Sequence, residues 1–157
     1  MRKPWNIPDL PVFSLSTKGD KGDNMNICTY VSAVSMDPKL YLVAVYDNTL
    51  TLDYVKGSKH VVLQLLHEQH FSLVKMLGQK SGKAINKMSW LEKKGVVGEW
   101  QSFRVIKDAC AYVLLEKTKQ IASEGDHELF LFKVIKHKSF ASECLTTGLL
   151  RQKNIIR

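Results

Sequence analysis

The sequence has few cysteines and no long apolar run. Its three cysteines are widely separated and form no CxxC pair, a pattern typical of reduced thiols in a cytoplasmic protein. No segment approaches the ~20 apolar residues that a membrane span requires. The first residues contain Pro4, Pro8 and Pro11 and no apolar centre, so they do not fit a signal peptide. We therefore expect a soluble cytoplasmic protein without a membrane contact.

Several ligand-binding motifs are also absent. There is no GxxxxGK[ST] loop and no GxGxxG after a strand, so neither a Walker ATPase nor a Rossmann site is indicated. The segment His67-Glu68-Gln69-His70 lacks the HExxH spacing, so we expect a structural or solvent-exposed role for it and no metal site. The formal charge of +8 is spread without a run of five basic residues, which favours phosphate-bearing small molecules over nucleic acid.

The length and composition predict one domain. A chain of 157 residues with 45% hydrophobic residues is long enough for one core and too short for two ordinary domains. We expect residues 1–157 to form this domain, with residues 1–23 as an N-terminal arm and loop. Residues 139–157 are predicted to be a C-terminal tail that either packs on a partner subunit or frays.

The hydrophobic pattern predicts a mainly β fold. Runs rich in β-branched and aromatic residues predict strands at 27–34, 41–46, 60–66, 109–119 and 128–138, and a short pair within 95–105. Turns are predicted at 36–39 and 123–126, and the second of these joins the two long strands into an antiparallel hairpin. Short helices are predicted at 52–56 and 71–77, the latter ended by Gly78 as its C-cap. About six strands with few helices favour a closed or nearly closed barrel.

Two polar segments are candidates for an anion site. Residues 47–51 join a buried strand to a helix for which Thr49 or Thr51 is the N-cap, so free N–H groups and the helix dipole would favour a phosphate. The loop 78–90 carries glycines, serines and lysines that could also surround an anion. The alternatives are that the first segment is only a helix cap and that the second is a solvated connection.

The order of these motifs resembles the flavin reductase-like family of FMN-binding split barrels. The motifs are Asn-x-x-Thr at 26–29, Ser-x-Asp-Pro at 35–38, Thr-x-Thr at 49–51, Ser-Gly-Lys at 81–83 and Gly-Asp-His at 125–127. The resemblance covers approximately residues 10–138. It implies a mainly β split barrel of about six or more largely antiparallel strands, usually a homodimer that holds FMN or FAD near the subunit interface.

The resemblance also implies a function and a set of site residues. The implied reaction is hydride transfer from NADH or NADPH to FMN, with FAD as the alternative, and the electrons leave with reduced flavin or pass to an acceptor such as a monooxygenase. His127 would face the nicotinamide. The flavin ring would be lined by Asn26, Cys28, Thr29, Tyr46, Asp47 and Asn48. The phosphate would be held by Thr49, Thr51, Ser81 and Lys83, and Gly82 and Lys87 complete the predicted cofactor-binding set. Asn86-Lys87-Met88 departs from the family's usual Asp-Lys-Phe.

No catalytic side chain is predicted, because hydride transfer is carried out by the cofactors and the protein orients and shields them. Cys28 has no activating partner in the sequence and is expected to be a small core residue. Two other functions remain open at this point. One is a non-catalytic FMN-binding electron carrier of the same fold, and the other is a basic β-barrel that binds nucleic acid.

Overall fold

The computed structural model describes residues 1–157 and contains nine strands and four α-helices. The strands are β1 Phe13–Gly19, β2 Gly22–Met25, β3 Val31–Ser35, β4 Leu40–Tyr46, β5 His60–Leu65, β6 Val97–Trp100, β7 Phe103–Ile106, β8 Ala111–Ile121 and β9 His127–Ser139. The α-helices are α1 Leu50–Gly57, α2 Val74–Gln79, α3 Lys87–Lys93 and α4 Thr147–Gln152. Two 3₁₀ helices, Pro4–Asn6 and Glu68–Leu73, complete the elements. No helix has the length and apolar character that crossing a membrane would require.

Seven strands form one antiparallel sheet in the order β2-β1-β5-β8-β9-β4-β3, and β6 and β7 form a separate hairpin. The segment before β3 connects the two ends of this sheet. Cys28 exchanges two backbone hydrogen bonds of 2.9 Å with Phe13, the first residue of β1, and the Tyr30 carbonyl accepts one of 2.9 Å from Ala44 in β4. The sheet therefore curves into a barrel, and the prediction of a mainly β split barrel is confirmed.

The core consists of two main groups of side chains. The first fills the barrel from β1, β4, β5, β8 and β9 and includes the fully buried Phe130 and Phe132. The second lies between the barrel and the helices and includes Leu77 of α2, Leu91 of α3 and Leu150 of α4. Because α1 packs on β1 and β4 and α3 packs on β2, the loops between these elements are held close together.

The prediction of an N-terminal arm and loop at 1–23 is wrong for its second half, where β1 and β2 form a hairpin. These strands bury small polar residues, which conceal the strand pattern in the sequence. Ser16 Oγ donates to the Arg104 carbonyl at 2.5 Å, and Thr17 Oγ1 donates to the Asn24 carbonyl at 3.3 Å. Hydrogen bonding of this kind allows hydroxyl groups to lie in a core without a large penalty.

Three further boundaries differ from the predictions. The first predicted strand begins at Val31 and not at residue 27, because residues 26–30 cross between two strands. Gly78 lies inside α2 and is not its C-cap, and a Cβ at Gly78 would lie 3.2 Å from the Ile27 Cβ. The predicted loop 78–90 ends in α3, for which the Asn86 side chain accepts a hydrogen bond of 3.0 Å from the Ser89 N–H.

Other predictions hold. β8 and β9 form the expected antiparallel hairpin, and β6 and β7 form the expected short pair. Of the two candidate caps for α1, Thr49 is the N-cap. The prediction for residues 139–157, packing on a partner subunit or fraying, differs from the structure, in which the buried Leu145 and Leu150 pack on the core of the same chain.

Candidate functional site

A cavity of about 620 Å³ opens between the barrel and the helices. Its lining comes from three segments, 26–30, 46–51 and 77–82, together with Lys87 of α3 and His127 of β9. Every cofactor residue predicted from the sequence lines this cavity except Lys83. The structure therefore brings together residues that are about 100 positions apart in the chain, while their roles toward a ligand stay predictions.

Strand pairing fixes one side of the cavity. The register of β4 and β9 places Tyr46 opposite His127, and the Asp47 N–H donates to the Asp126 carbonyl at 2.9 Å. Asn48 then adopts a positive φ of 59°, a conformation that asparagine tolerates better than most residues. This left-handed residue turns the chain from the end of β4 directly into α1.

Thr49 holds the start of α1 at the cavity. Its Oγ1 donates to the Tyr46 carbonyl at 2.8 Å and accepts from the Leu52 N–H at 3.1 Å. The N–H groups of Leu50 and Thr51 occupy the first two helical positions, where no intrahelical acceptor exists. The Thr49 hydroxyl therefore serves as the helix cap, and the two free N–H groups are the donors that this turn leaves available to an anion.

The hairpin that the sequence did not reveal positions two predicted site residues. Asn24 of β2 donates from Nδ2 to Thr51 Oγ1 at 2.9 Å, and Asn26 Oδ1 accepts from the Leu15 N–H at 2.8 Å. Asn24 is therefore a supporting residue that the sequence analysis missed. The sequence does not indicate this role, because Asn24 lies in a short polar strand that has no alternating hydrophobic pattern.

The loop after α2 forms a tight turn against α1. Ser81 Oγ accepts from the Lys83 N–H at 3.2 Å, and the Ser81 carbonyl accepts from the N–H groups of Ala84 and Ile85 at 3.1 and 3.0 Å. A Cβ at Gly82 would lie 2.7 Å from Asn24 Oδ1, so only glycine allows this approach. The turn consequently places Ser81 and Gly82 beside the first turn of α1.

Lys87 is a buried cation at the cavity wall. Its Nζ donates to the Leu77 carbonyl at 2.6 Å, and only 6% of the residue is exposed. Burial lowers the pKa of Lys87 to about 8, and no neighbouring carboxylate offsets this effect. An anion bound beside Lys87 would supply the negative charge that no carboxylate of the protein provides next to its ammonium.

Lys83 occupies a different position from the one predicted. It lies outside the cavity lining, and its Nζ forms an ion pair of 3.1 Å with Asp53 Oδ2 on the exposed side of α1. Asp47, by contrast, does line the cavity, as the sequence analysis predicted. The lysines that line the cavity are therefore Lys80, directly after α2, and Lys87 of α3, and not Lys83.

Aromatic rings form the opposite wall. The His127 ring lies 5.2 Å from the ring of Tyr30 and 5.2 Å from that of Tyr46, measured between centroids. His127 Nδ1 forms a hydrogen bond of 2.6 Å with Asp126 Oδ1, which leaves Nε2 for a ligand. Tyr30 was not among the predicted site residues, although its position next to Thr29 could have indicated it. These rings can pack against a planar ligand.

The remaining nucleophile and metal candidates have structural roles. Burial raises the pKa of the Cys28 thiol to about 12, so the thiol stays protonated and packs in the barrel core, as expected. The rings of His67 and His70 cap the 3₁₀ helix, each accepting a backbone N–H at 3.2 Å. No group of three or more His, Cys, Asp or Glu side chains lies close enough to hold a metal ion.

Comparison with solved structures gives the same fold. The chain is similar to the flavin reductase PheA2 with 22% identity and a TM-score of 0.74, covering 90% of this chain and 87% of that one. It is also similar to the Streptomyces globisporus C-1027 NADH:FAD oxidoreductase SgcE6, with 17% identity, a TM-score of 0.78 and coverage of 94% and 86%. A third similar structure is BorF, the flavin reductase component of a bacterial two-component tryptophan halogenase, with 13% identity, a TM-score of 0.79 and coverage of 93% and 90%.

The comparison with curated protein sequences gives no match. The family model for the flavin reductase like domain matches residues 9–150, which is most of the chain and includes every segment of the cavity. This match supports a flavin-related oxidoreductase function. The chain belongs to the family of flavin reductase like domains.

Proposed function

We propose that the protein is an oxidoreductase that transfers a hydride from NADH or NADPH to bound FMN, with FAD as the alternative flavin. The observation that carries this proposal is the unpaired, buried Lys87 in a cavity of about 620 Å³. That volume falls within the range of about 300–1,000 Å³ found for cofactor sites. Family membership supplies the class of ligand.

The phosphate end of the flavin fits the wall formed by α1, the Ser81 turn and α3. The free N–H groups of Leu50 and Thr51 and the ammonium of Lys87 are donors to a phosphate, and the Ser81 hydroxyl adds another. Thr49 contributes by holding the helix start in place. The ring end fits the wall formed by residues 26–30 and Tyr46, where backbone groups and aromatic rings meet.

The nicotinamide side is assigned to His127. Its Nδ1 is fixed by Asp126, so its Nε2 is available to orient a nicotinamide amide or an adjacent hydroxyl. The bound flavin supplies the redox chemistry, and no side chain has to act as acid, base or nucleophile. The similar structure of SgcE6 is described as a complex with NAD and FAD fragments, which supports a shared site for the two nucleotides in this fold.

The electrons then leave with reduced flavin or pass to a separate acceptor such as a monooxygenase. BorF is described as the reductase component of a two-component enzyme, which supports a separate acceptor here.

We place the protein in the cytoplasm as a homodimer. All three cysteines are free thiols, which supports the location. Tyr30 and Tyr46 on the cavity wall are 56% and 55% exposed, and a second subunit would cover them.

The experiment is a spectroscopic titration of the purified protein with FMN, followed by mixing of the complex with NADH or NADPH. We expect a perturbed flavin absorbance spectrum on binding and bleaching of the flavin bands after mixing. A protein that binds neither FMN nor FAD would overturn the proposal. His127→Asn should slow bleaching at a fixed NADH concentration while leaving the dissociation constant of FMN unchanged.

The same measurement distinguishes a non-catalytic electron carrier from a reductase. A carrier of the same fold would bind FMN equally well, but NADH and NADPH would bleach the bound flavin slowly or not at all. Stopped-flow mixing at several nicotinamide concentrations distinguishes the two functions, because a reductase shows a bleaching rate that rises and saturates with the donor concentration.

A further inference from the structure

The C-terminal part of β9 is an open edge of the large sheet. From His127 to Lys133 the strand lies between β4 and β8. The next residue, Val134, still donates its N–H to the Lys39 carbonyl at 3.0 Å. Residues 135–139 pair with β8 alone. The backbone N–H and C=O groups that point away from β8 in this stretch therefore have no partner strand.

A β-bulge places three lysines of this part of β9 on one face of the sheet. These lysines are Lys133, Lys136 and Lys138, and their partners on β8 are Glu116, Leu114 and Tyr112 in that order. The three partners are two positions apart, and residues two apart on a strand point to the same face. Ile135 is the extra residue that keeps the lysines in step with them. The three lysines thus form one row along the open edge, the lysine row.

The lysine row has no counterion within the protein. None of its ammonium groups lies within 4.0 Å of a carboxylate, because the ion pairs of the chain involve other basic residues. All three residues are exposed, and the sequence has no acidic residue between positions 129 and 142. The carboxylate of Glu116, opposite Lys133, lies 3.5 Å from the Lys59 ammonium. The edge consequently combines unmatched positive charge with free backbone hydrogen-bonding groups.

Apolar side chains are exposed at the same edge. Ile135 and Phe140 are 48% and 52% exposed, and the Lys138 Nζ lies 5.1 Å from the centre of the Phe140 ring. Lysines and bulges also protect edge strands from pairing with other chains. Protection alone gives no reason to leave large apolar side chains in water beside them. A docked segment would cover these side chains and satisfy the backbone groups.

The chemistry of the edge selects one class of partner. A strand edge offers both donors and acceptors, which the backbone of another strand matches, whereas the phosphates of a nucleic acid only accept. A second copy of this chain at the edge would bring two lysine rows together, and like charges opposite each other are destabilising. An acidic strand would instead place carboxylates beside the lysines. The lysine row therefore disfavours self-pairing and favours an acidic partner.

We propose that residues 135–139 bind an extended acidic segment of another protein by strand addition, with the carboxylates of alternate residues on the lysine row. Main-chain hydrogen bonds to β9 and the cover of Ile135 add to the charge attraction. Ile135 lies about 25 Å along the strand from His127, so a bound segment leaves the cavity at His127 open. The proposal does not depend on which ligand that cavity binds.

The test uses two short synthetic peptides of identical composition. Glutamate and valine alternate in the first peptide, and all glutamates precede all valines in the second. Each peptide carries a rhodamine label, and fluorescence anisotropy with the full chain measures its affinity. We expect the alternating peptide to bind about fivefold more tightly, because only its carboxylates all lie on one face of an added strand.

A double variant tests the site. We expect Lys136→Glu combined with Lys138→Glu to weaken binding of the alternating peptide by about tenfold or more, because like charges then face each other. The matched control combines Lys75→Glu with Lys119→Glu, which changes the charge equally at two exposed lysines away from the open edge. The control should bind the peptide with nearly wild-type affinity. Thermal unfolding verifies that both variants are folded.

Four results would overturn the proposal. One is equal affinity for the two peptides, or binding of neither, and another is wild-type affinity in the folded double variant. An oligothymidylate of equal charge that binds more tightly than the alternating peptide and is lost in the double variant would assign the lysine row to nucleic acid. A different mass of the double variant and the wild type in light scattering would assign the edge to a contact between two copies.

Discussion

Lys87 is the only lysine among the buried residues, and its burial has a cost that no carboxylate of the fold offsets. An ammonium removed from water without a counterion destabilises the charged form, which is why burial lowers the pKa of Lys87 to about 8. The pKa in the unfolded chain is about 10.4, so the unfolded chain binds the proton more tightly. Between these two values the stability of the ligand-free protein rises with pH. The lysine is therefore better explained by a bound anion than by the stability of the fold.

Replacing this ammonium by an apolar group of similar length should separate binding from stability. We expect Lys87→Met to weaken FMN binding by about tenfold or more, because a hydrogen bond to a charged group contributes ~1.5–3 kcal/mol. Riboflavin, which has no phosphate, should bind the variant and the wild type equally well. Titration by fluorescence quenching measures both ligands. Lys75→Met is the control, and an equal loss of riboflavin affinity would show that the lysine does not contact the phosphate.

The same residue predicts a pH dependence of flavin binding. The phosphate of FMN completes its ionisation near pH 6, so between pH 7 and 9.5 the phosphate charge is constant at about −2. Lys87 loses its proton as the pH rises through about 8, and FMN affinity should fall over that interval. Titrations at a series of pH values measure this step. The step should be absent in Lys87→Met, and a step of the same size in that variant would assign it to another group.

At the scale of elements, Gln64 connects three strands through its buried side chain. Its Oε1 accepts from the Ile106 N–H of β7 at 2.6 Å, and its Nε2 lies 3.6 Å from the Met25 sulfur of β2. We expect Gln64→Leu to lower the free energy of unfolding by about 1–3 kcal/mol, because the Ile106 N–H is left without an acceptor. Thermal unfolding should fall by about 2–4 °C for each kcal/mol. Gln152→Leu at the exposed end of α4 should change little, and an equal loss there would contradict the role of Gln64.

The C-terminal helix is predicted to be part of the folding unit. Leu150 of α4 is 2% exposed and packs in the core group that contains Leu77 and Leu91. Leu150→Ala should therefore destabilise the protein by about 2–5 kcal/mol, the range for a buried leucine that leaves a cavity. Chemical denaturation measures this change. Ile7→Ala, at a side chain that is 62% exposed, should have no measurable effect. A small effect at Leu150 would mean that the tail is only loosely attached.

The elements that the sequence analysis predicted share a property with one another. β8 and β9 are long strands that combine inward apolar residues with outward polar ones. The sequence predicts both strands and the turn that joins them. β1 and β2 were missed because Ser16, Thr17 and Asn24 are buried polar residues, and their burial depends on hydrogen-bond partners that the sequence does not display. α3 was missed for the same reason, since its first residue is a buried lysine.

At the scale of the whole molecule, the predicted site depended on the family resemblance and on tertiary contacts that the sequence alone does not determine. The convergence of the Thr49 turn and the Ser81 turn with His127 follows from the pairing of β4 with β9 and from the packing of α2 and α3. Lys83 and Lys87 are four positions apart and similar in the sequence. Lys87 is the first residue of α3 and lines the cavity, whereas Lys83 lies in the turn before α3 and pairs with Asp53.

The distribution of exposed apolar side chains leads to a prediction about assembly. Val34 and Met36, at the end of β3 and in the turn after it, are 50% and 85% exposed, and Tyr30 and Tyr46 on the cavity wall are exposed to a similar degree as Val34. Val34 and Met36 lie at the opposite end of the β3–β4 pair from Tyr46, so the surface that a second subunit would cover runs along this pair of strands. We expect the wild type to have twice the mass of one chain in light scattering, and Val34→Glu to shift it to the monomer with weaker flavin binding.

The control for this prediction is Ile7→Glu, at a side chain in the N-terminal arm that is 62% exposed and lies outside the cavity lining. It introduces the same charge at a comparable exposure and should leave the dimer and the flavin affinity unchanged. A wild type that is monomeric at all concentrations yet binds flavin tightly would contradict the prediction. In that case the rings of Tyr30 and Tyr46 would hold the flavin without a second subunit, and the cavity of one chain would be a complete site.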